Sequence, residues 1–145
     1  MNAAAPFDPE IFKAATRTQW NESAEGWNDQ GTRIRDWLRN STDAMLTMAD
    51  VRPGARVLDV AAGAGDQTLD IAERVGANGS VLATDLSPAI LEFAAHNARR
   101  TGHRHVETLA VDGENLGVDE ASFDAAICRL GLMFYPNPGK GLQEI

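Results

Sequence analysis

Apolar and polar residues form blocks along the chain that predict two helices first and a strand and helix alternation afterwards. Residues 10–27 and 29–49 carry large apolar residues at near-helical spacing, so we expect two helices there. Four short apolar runs follow, at 57–61, 81–84, 106–111 and 123–128. Runs with little polarity are typical of parallel strands buried on both faces. The pattern therefore predicts an α/β fold that is preceded by a helical extension.

The stretch from Arg56 to Ala72, RVLDVAAGAGDQTLDIA, predicts a strand that passes through a turn of small residues into a helix. Such a turn brings backbone N–H groups and a helix N-terminus to one point, where an anionic or sugar group can bind. Asp59 interrupts the apolar run and needs hydrogen-bond donors if it is buried. We expect the turn amides or a ligand ammonium to donate to it, and we expect Asp66 to cap the helix.

A second strand, Val81 to Thr84, ends in Asp85, about 20 residues past the glycine turn. A carboxylate at this place can accept hydrogen bonds from both hydroxyls of a nucleoside ribose. The alternative is that Asp85 serves only as a turn residue or cap. Ser87 and Pro88 then predict the N-cap and first turn of the next helix.

The segments VLDVAAGAGDQT and LATDLSPAIL resemble the first and second motifs of class I S-adenosylmethionine-dependent methyltransferases. Within that superfamily the chain looks most like the ubiquinone/menaquinone-biosynthesis type. One residue departs from the pattern, since Ala61 stands where the family has its first glycine. The resemblance implies a Rossmann-like doubly wound sheet, S-adenosyl-L-methionine as cofactor, and methyl transfer to a small-molecule acceptor such as a quinone precursor.

The resemblance also implies cofactor contacts at the ends of four strands. They are Asp59, Ala61, Gly63, Gly65 and Thr68 toward the methionine end, Asp85 and Leu86 at the ribose and adenine, Asp112 and Gly113 at the adenine, and Arg129 in the pocket wall. Asp112 and Gly113 also form one of the commonest turn pairs. Arg129 is open to three roles: contact with the cofactor carboxylate, support of Asp59, or pairing with a structural acid.

Four large residues are candidates for the acceptor pocket: Trp20, Trp27, Met133 and Phe134. In the resembled family the N-terminal segment often lies over the cofactor pocket as a lid, which would make the tryptophans part of its wall. The alternative is that these residues only pack the extension and the core. No residue stands out as a general base, so the catalytic residues are left open.

Composition narrows the classes of partner. The formal net charge of -8 argues against a nucleic-acid partner, because such a surface repels phosphates. Cys128 is the single cysteine, which excludes an intrachain disulfide, and the three histidines lack ligand partners at metal-binding spacing, so we expect no metal. No apolar run approaches membrane-spanning length, and we expect a cytoplasmic protein without a membrane span.

The chain has 145 residues, and we expect one cofactor-binding domain at 51–145 that lacks the last strands of the resembled fold. We expect a helical lid at 1–50, which begins with a loose arm at 1–9. An open sheet edge beyond the fourth strand would invite a partner or self-association into a homo-oligomer.

Two other functions compete with methyl transfer. A nicotinamide-dependent oxidoreductase would need a third glycine where Thr68 stands, and it has no use for Asp59. A non-catalytic half-domain that binds the cofactor without transferring a methyl group is the more serious alternative.

Overall fold

In the computed structural model, which describes residues 6–145, two long helices precede a four-stranded sheet with helices between its strands. The helices are α1 (Pro9–Asp29), α2 (Gly31–Met48), α3 (Asp66–Val75), α4 (Pro88–Arg100) and α5 (Pro138–Glu144). The strands are β1 (Arg56–Val60), β2 (Ser80–Asp85), β3 (Val106–Ala110) and β4 (Ala125–Cys128), and a short 3-10 helix spans Leu132–Phe134. Among residues 6–145, no helix combines the length and apolarity needed to cross a membrane.

The sheet has the order β3-β2-β1-β4, and every pair of neighbouring strands is parallel. The chain moves outward from β1 through β2 to β3 and then returns to the other side of β1. This reversal creates a crevice at the carboxyl ends of β1 and β4, which is where ligands bind in open α/β sheets. The predicted α/β, doubly wound fold is confirmed.

The two faces of β1 pack against different parts of the chain. Val57 points to the face covered by α2 and α3, where it packs with Leu46 and Ile71. Leu58 and Val60 point to the opposite face and pack with Leu116 from the connection between β3 and β4. Successive strand residues alternate between faces, so both faces of an apolar run are buried.

The predicted helices are confirmed in type and shifted at their ends. The expectation of a loose arm over residues 1–9 is wrong at its end, because α1 begins at Pro9 and the side chain of Asp8 accepts hydrogen bonds from the Glu10 and Ile11 amides. Residues 1–5 of that arm lie outside the described part of the chain. Ser87 caps α4 as predicted, and Pro88 occupies its first turn.

The expectation that Asp66 caps α3 is wrong. The N-cap is Gly65, in the left-handed conformation with φ of 88°, and Asp66 is the first residue of the helix. A Cβ atom at Gly65 would lie 3.0 Å from both Cα and Cβ of Ala94 in α4. Glycine is required here by the backbone conformation and by the close approach of α4.

We expect Gly65→Ala to lower the free energy of unfolding by about 1–3 kcal/mol more than Gly54→Ala does. Gly54 has nearly the same conformation, with φ of 85°, and a Cβ atom there meets nothing within 4 Å. The difference between the two variants in urea unfolding therefore isolates the contact with α4. Equal losses would show that only the backbone conformation requires glycine at position 65.

Candidate functional site

A cavity of about 240 Å³ lies at the carboxyl ends of the strands and is covered by α1. The loop after β1, the ends of β2 and β3, and the segment after β4 form its floor and walls. α1 contributes four residues that line it, namely Lys13, Thr16, Trp20 and Trp27. The four residues lie on one face of α1, because their positions in the sequence follow the helical repeat. This spacing is the signal by which the sequence could have identified Lys13 and Thr16.

Most of the sequence-predicted site residues line this cavity. They are Ala61, Gly63, Asp85, Leu86, Asp112, Gly113 and Arg129 from the cofactor set, and Trp20, Trp27, Met133 and Phe134 from the acceptor set. Asp59, Gly65 and Thr68 are not among the lining residues that the structure describes. These three lie behind the cavity wall, and their contact with a cofactor stays a prediction.

Asp59 is fully buried and joins β1 to α3. Thr68 Oγ1 donates a 2.6 Å hydrogen bond to its Oδ2, and the Gln67 amide donates to its Oδ1. The expectation that turn amides donate to Asp59 is therefore wrong, and a bond from a ligand ammonium stays a prediction. Burial raises the pKa of Asp59 to about 7, and the bonds from Thr68 and Gln67 oppose that rise. The arrangement fixes the turn between β1 and α3 from behind.

Asp85 holds the same turn from the cavity side. Its carboxylate accepts hydrogen bonds from the backbone N–H of Gly63 at 3.0 Å and of Ser87 at 2.9 Å. Burial raises the pKa of Asp85, and these amide donors oppose the rise. Since each carboxylate oxygen can accept a second hydrogen bond, the side chain can still receive ribose hydroxyls.

Asp112 forms a charged cluster with a residue that sequence reasoning missed. Lys13 Nζ of α1 lies 2.7 Å from Asp112 Oδ2 and 3.0 Å from Glu114 Oε2. Burial alone raises the pKa of Asp112, but the hydrogen bonds from Lys13 and the Glu114 amide outweigh it, so the pKa is lowered. The cluster fastens the N-terminal part of α1 over the cavity beside β3.

The surroundings of Gly113 leave no room for a side chain. A Cβ atom there would lie 1.8 Å from the hydroxyl oxygen of Tyr135, whose ring lines the cavity. Burial is the main cause that raises the pKa of Tyr135, so the hydroxyl stays protonated at neutral pH and can donate a hydrogen bond.

Asp66 and Arg129 form a buried ion pair in the cavity wall. The Arg129 Nη2 donates to Asp66 Oδ2, and Nη1 donates at 2.7 Å to the hydroxyl of Thr42 in α2. Of the three open roles, the structure shows pairing with an acid. The charge of Arg129 also lowers the pKa of Asp59, and contact with the cofactor carboxylate stays a prediction. The Arg129 Nε atom is buried and has no hydrogen-bond partner within residues 6–145.

Three aromatic rings form one wall of the cavity. Trp20 meets Trp27 edge to face with ring centroids 5.3 Å apart, and it meets Phe134 in the same way at 5.5 Å. Trp20 and Trp27 also pack against the buried residues Ala24 and Ala64. The tryptophans therefore both pack the extension and line the cavity, and their contact with an acceptor stays a prediction.

The lining chemistry varies along the cavity. Carboxylates stand at the ends of β3 and β2, apolar and aromatic groups flank them, and the buried ion pair stands at the ends of β1 and β4. Within residues 6–145 no group of three or more potential ligand side chains could hold a metal ion. This arrangement can bind an extended molecule that has hydroxyl donors, a planar ring and a charged tail.

Two known methyltransferases resemble this chain in sequence. A ubiquinone/menaquinone biosynthesis C-methyltransferase from Idiomarina loihiensis is 33% identical over 112 residues, which cover 77% of this chain and 43% of the relative. A demethylmenaquinone methyltransferase from Lactococcus lactis is 33% identical over 101 residues, which cover 70% of this chain and 40% of the relative. The chain thus spans less than half the length of these relatives.

A solved structure extends the likeness to nearly the whole chain. The crystal structure of a SAM-dependent methyltransferase from Aquifex aeolicus matches with a TM-score of 0.65 at 22% identity, over 96% of this chain and 65% of that chain. At this identity the match shows the fold. The model of the ubiE/COQ5 methyltransferase family matches residues 33–145. The resemblance inferred from the two sequence motifs is confirmed, and the chain belongs to the ubiE/COQ5 methyltransferase family.

Proposed function

We propose that the protein binds S-adenosyl-L-methionine and takes part in methyl transfer to a small, planar, apolar acceptor of the quinone-precursor type. The observation that carries this proposal is Asp85, which lies at the end of β2 in the same cavity as the Gly63 turn. An acid at that place suits the ribose of a nucleoside. S-adenosylmethionine is the cofactor that membership of this methyltransferase family implies.

The residues of the cavity fit this cofactor. Asp85 would accept the ribose hydroxyls, while Leu86 and Val111 would lie against the adenine ring. Ala61 and Gly63 keep bulky side chains away from the floor. When bound, the cofactor supplies a sulfonium methyl group that a nucleophile can attack in line.

The chain's own part in the reaction is to position the acceptor and to exclude water. Trp20, Trp27 and Phe134 form an apolar wall against which a planar ring can stack. The three carboxylates among the lining residues are already engaged, Asp66 by Arg129, Asp85 by backbone amides and Asp112 by Lys13. This favours an acceptor that is electron-rich or already ionised over one that needs a strong general base.

The relatives support the same class of acceptor. The Idiomarina protein is named for carbon methylation in ubiquinone and menaquinone biosynthesis, and the Lactococcus protein for demethylmenaquinone. A quinone-precursor ring is planar and apolar, which agrees with the aromatic wall. We extend this acceptor class to the present chain as part of the proposal.

We further propose that residues 1–50 act as a lid on the cofactor-binding part at 51–145. The support is that α1 lines the cavity through Trp20 and Trp27 and is fastened to its rim by Lys13. We keep a cytoplasmic location and self-association through the edge of β4 as predictions.

Two alternatives remain testable. A nicotinamide-dependent oxidoreductase is disfavoured, because the position of its third glycine holds Thr68, which is fully buried and bonded to Asp59. A half-domain that binds the cofactor without transfer would show the same cavity. Only activity toward an acceptor separates that alternative from an enzyme.

The first experiment is calorimetric titration of the chain with S-adenosylhomocysteine and, as control, with NAD. We expect binding of S-adenosylhomocysteine alone. Binding of NAD alone would contradict the proposal, and so would binding of neither ligand to a chain shown to be folded by circular dichroism. Incubation with labelled S-adenosylmethionine and a quinone-precursor acceptor then separates an enzyme from a binding half-domain.

A further inference from the structure

Strand β3 forms one edge of the sheet. It pairs with β2 on one side, and among residues 6–145 no strand pairs with its other side. Residues 107–110 of this strand are exposed, and the apolar residue Leu109 is 40% exposed. Free backbone groups on an edge strand pair readily with a strand from another chain. The edge of β3 is therefore a surface that can accept a second strand.

The hydrogen bonds between β3 and β2 show which backbone groups of β3 are free. The carbonyl of His105 and the amide of Val111 both bond to β2, each at 2.9 Å. In a parallel pair, alternate residues of a strand turn their N–H and C=O groups toward the neighbouring strand. The odd-numbered residues of β3 thus face β2, and the N–H and C=O groups of Thr108 and Ala110 point outward.

Two copies of this edge can pair in antiparallel orientation about a two-fold axis at Thr108. In that register the two Thr108 residues exchange N–H···O bonds, and the Ala110 amide of each copy donates to the Val106 carbonyl of the other. Glu107 stands opposite Leu109 of the second copy, so the pairing places no like charges directly opposite each other.

The amino end of β3 carries positive charge without a counter-charge. Arg99 and Arg100 lie in the last turn of α4, and Arg104 lies two positions before β3. All three are exposed, and no ion pair in the described part of the chain includes them. Basic residues in the last turn of a helix complement its dipole, which accounts for Arg99 and Arg100 but not for Arg104.

The carboxyl end of β3 carries an excess of negative charge. Lys13 Nζ lies 2.7 Å from the carboxylate of Asp112, 3.0 Å from that of Glu114 and 3.8 Å from that of Glu10. A single ammonium balances only one of these charges, and the side chain of Asp112 stays 30% exposed. Antiparallel pairing about Thr108 brings Arg104 of the second copy toward Asp112, so it adds a second cation to this cluster.

A groove beside the edge leaves room for the helices of two copies. It is lined by one face of α4 and by Thr108 and Ala110 of β3. Since α4 packs on both β2 and β3, its axis lies about one strand spacing, or ~5 Å, from the two-fold axis. The two α4 helices would then lie about 10 Å apart, which is a normal distance between packed helices.

The face of α4 that lines the groove is complementary to itself in antiparallel orientation. Ala95 lies near the middle of that face, with Glu92 about one turn before it and Arg99 about one turn after it. Antiparallel contact around Ala95 places Glu92 of each copy near Arg99 of the other. The small side chain of Ala95 lets the two helices approach closely.

We propose that β3 and α4 form an interface between two copies of this chain, related by a two-fold axis at Thr108. The sheet continues through both copies, the two α4 helices pack against each other, and Arg104 of each copy reaches the Lys13 cluster of the other. This surface lies at the opposite end of the sheet from the edge of β4. The interface involves no ligand, so the inference does not depend on the proposed function.

Sedimentation equilibrium of the chain measures the association. We expect a reversible dimer with a dissociation constant of about 1–100 µM, because a short strand and one helix face form a small interface. A chain that stays monomeric up to a concentration of about 1 mM would overturn the inference.

Two substitutions at Thr108 test the pairing of the strands. Thr108→Pro removes the outward N–H and leaves the bonds to β2 in place, since proline is tolerated where an edge strand turns its N–H away from the sheet. We expect this variant to weaken the dimer by at least about tenfold. Thr108→Val is the matched control, because it keeps the N–H, and it should dimerise within about twofold of the wild type. Circular dichroism and urea unfolding verify that both variants are folded.

A charge exchange on α4 tests the antiparallel arrangement without touching the strand. Glu92→Arg and Arg99→Glu each place like charges across the two-fold axis, and each should weaken the dimer by at least about tenfold. The double variant restores opposite charges and should return to within about threefold of the wild type. Neither residue lines the cavity, so binding of S-adenosylhomocysteine should not change.

Two further results would contradict the inference. A dimer that survives both Thr108→Pro and the single charge reversals forms through another surface, such as the edge of β4. A double charge variant that stays as weak as the single variants shows that Glu92 and Arg99 do not meet across a two-fold axis.

Discussion

Replacing Asp85 with alanine is expected to weaken binding of S-adenosylhomocysteine by about 1.5 to 3 kcal/mol, or roughly 10- to 150-fold in the dissociation constant. The loss comes from two ribose hydroxyls that no longer meet a carboxylate acceptor. Calorimetric titration of the variant and the wild type measures it. The same factor is expected for 5′-methylthioadenosine, because that ligand carries the same ribose.

The structure also gives Asp85 a second role that the experiment must separate. The carboxylate holds the amides of Gly63 and Ser87, so its removal also lowers the stability of the turn and of the α4 cap. Ser87→Ala is the matched control, since it removes the capping hydroxyl bonded to the Ile90 amide and leaves Asp85 in place. That variant should lose about 0.5–2 kcal/mol of stability and keep its affinity for the ligand.

An unchanged affinity in Asp85→Ala, together with reduced stability in urea unfolding, would assign Asp85 to the turn alone. That was the alternative left open by the sequence. The result would also remove the main support for a ribose at the end of β2, and the order of ligand groups along the strand ends would have to be revised.

The sequence predicted those parts of the fold whose signals are local. The strand, turn and helix around β1 are encoded in one stretch of small and apolar residues, and the cap and first turn of α4 are encoded in Ser87 and Pro88. Each signal involves residues within a few positions of one another, so neighbouring residues alone determine the outcome.

The contacts that complete the site join residues far apart in the chain. Arg129 and Asp66 are 63 positions apart, and Lys13 and Asp112 are 99 positions apart. Their meeting depends on β4 returning beside β1 and on α1 crossing the cavity, neither of which the spacing of residues determines. Asp66 looked like a cap because acidic residues are common at helix starts, and only the sheet order reveals its partner.

Asp59 shows a further limit of motif reasoning. The motif correctly marks a carboxylate that matters, and the structure shows that it faces α3, behind the wall of the ligand cavity. A buried acid can be required because it fastens two elements, so its presence in a motif does not by itself make it a ligand contact.

This position of Asp59 leads to a large expected effect of pH on stability. The pKa of Asp59 is raised from 3.8 to about 7 by burial, so the folded state retains a proton that the unfolded chain releases. Stability from this group is present below about pH 4 and is lost as the pH rises through about 7. The difference of about three pKa units corresponds to about 4 kcal/mol.

When the pH is raised from 4 to 7.5, the free energy of unfolding of Asp59→Asn should therefore rise by about 4 kcal/mol relative to that of the wild type. The reason is that asparagine keeps a neutral group in the same space. Urea unfolding of both proteins at the two pH values measures the difference. Asp124→Asn is the matched control, because that carboxylate just before β4 is 56% exposed, although it accepts a hydrogen bond from the Arg56 amide. A constant difference between Asp59→Asn and the wild type would contradict a carboxylate that is neutral in the fold. It would mean that Thr68, Gln67 and the nearby Arg129 stabilise the charged form enough to offset its burial.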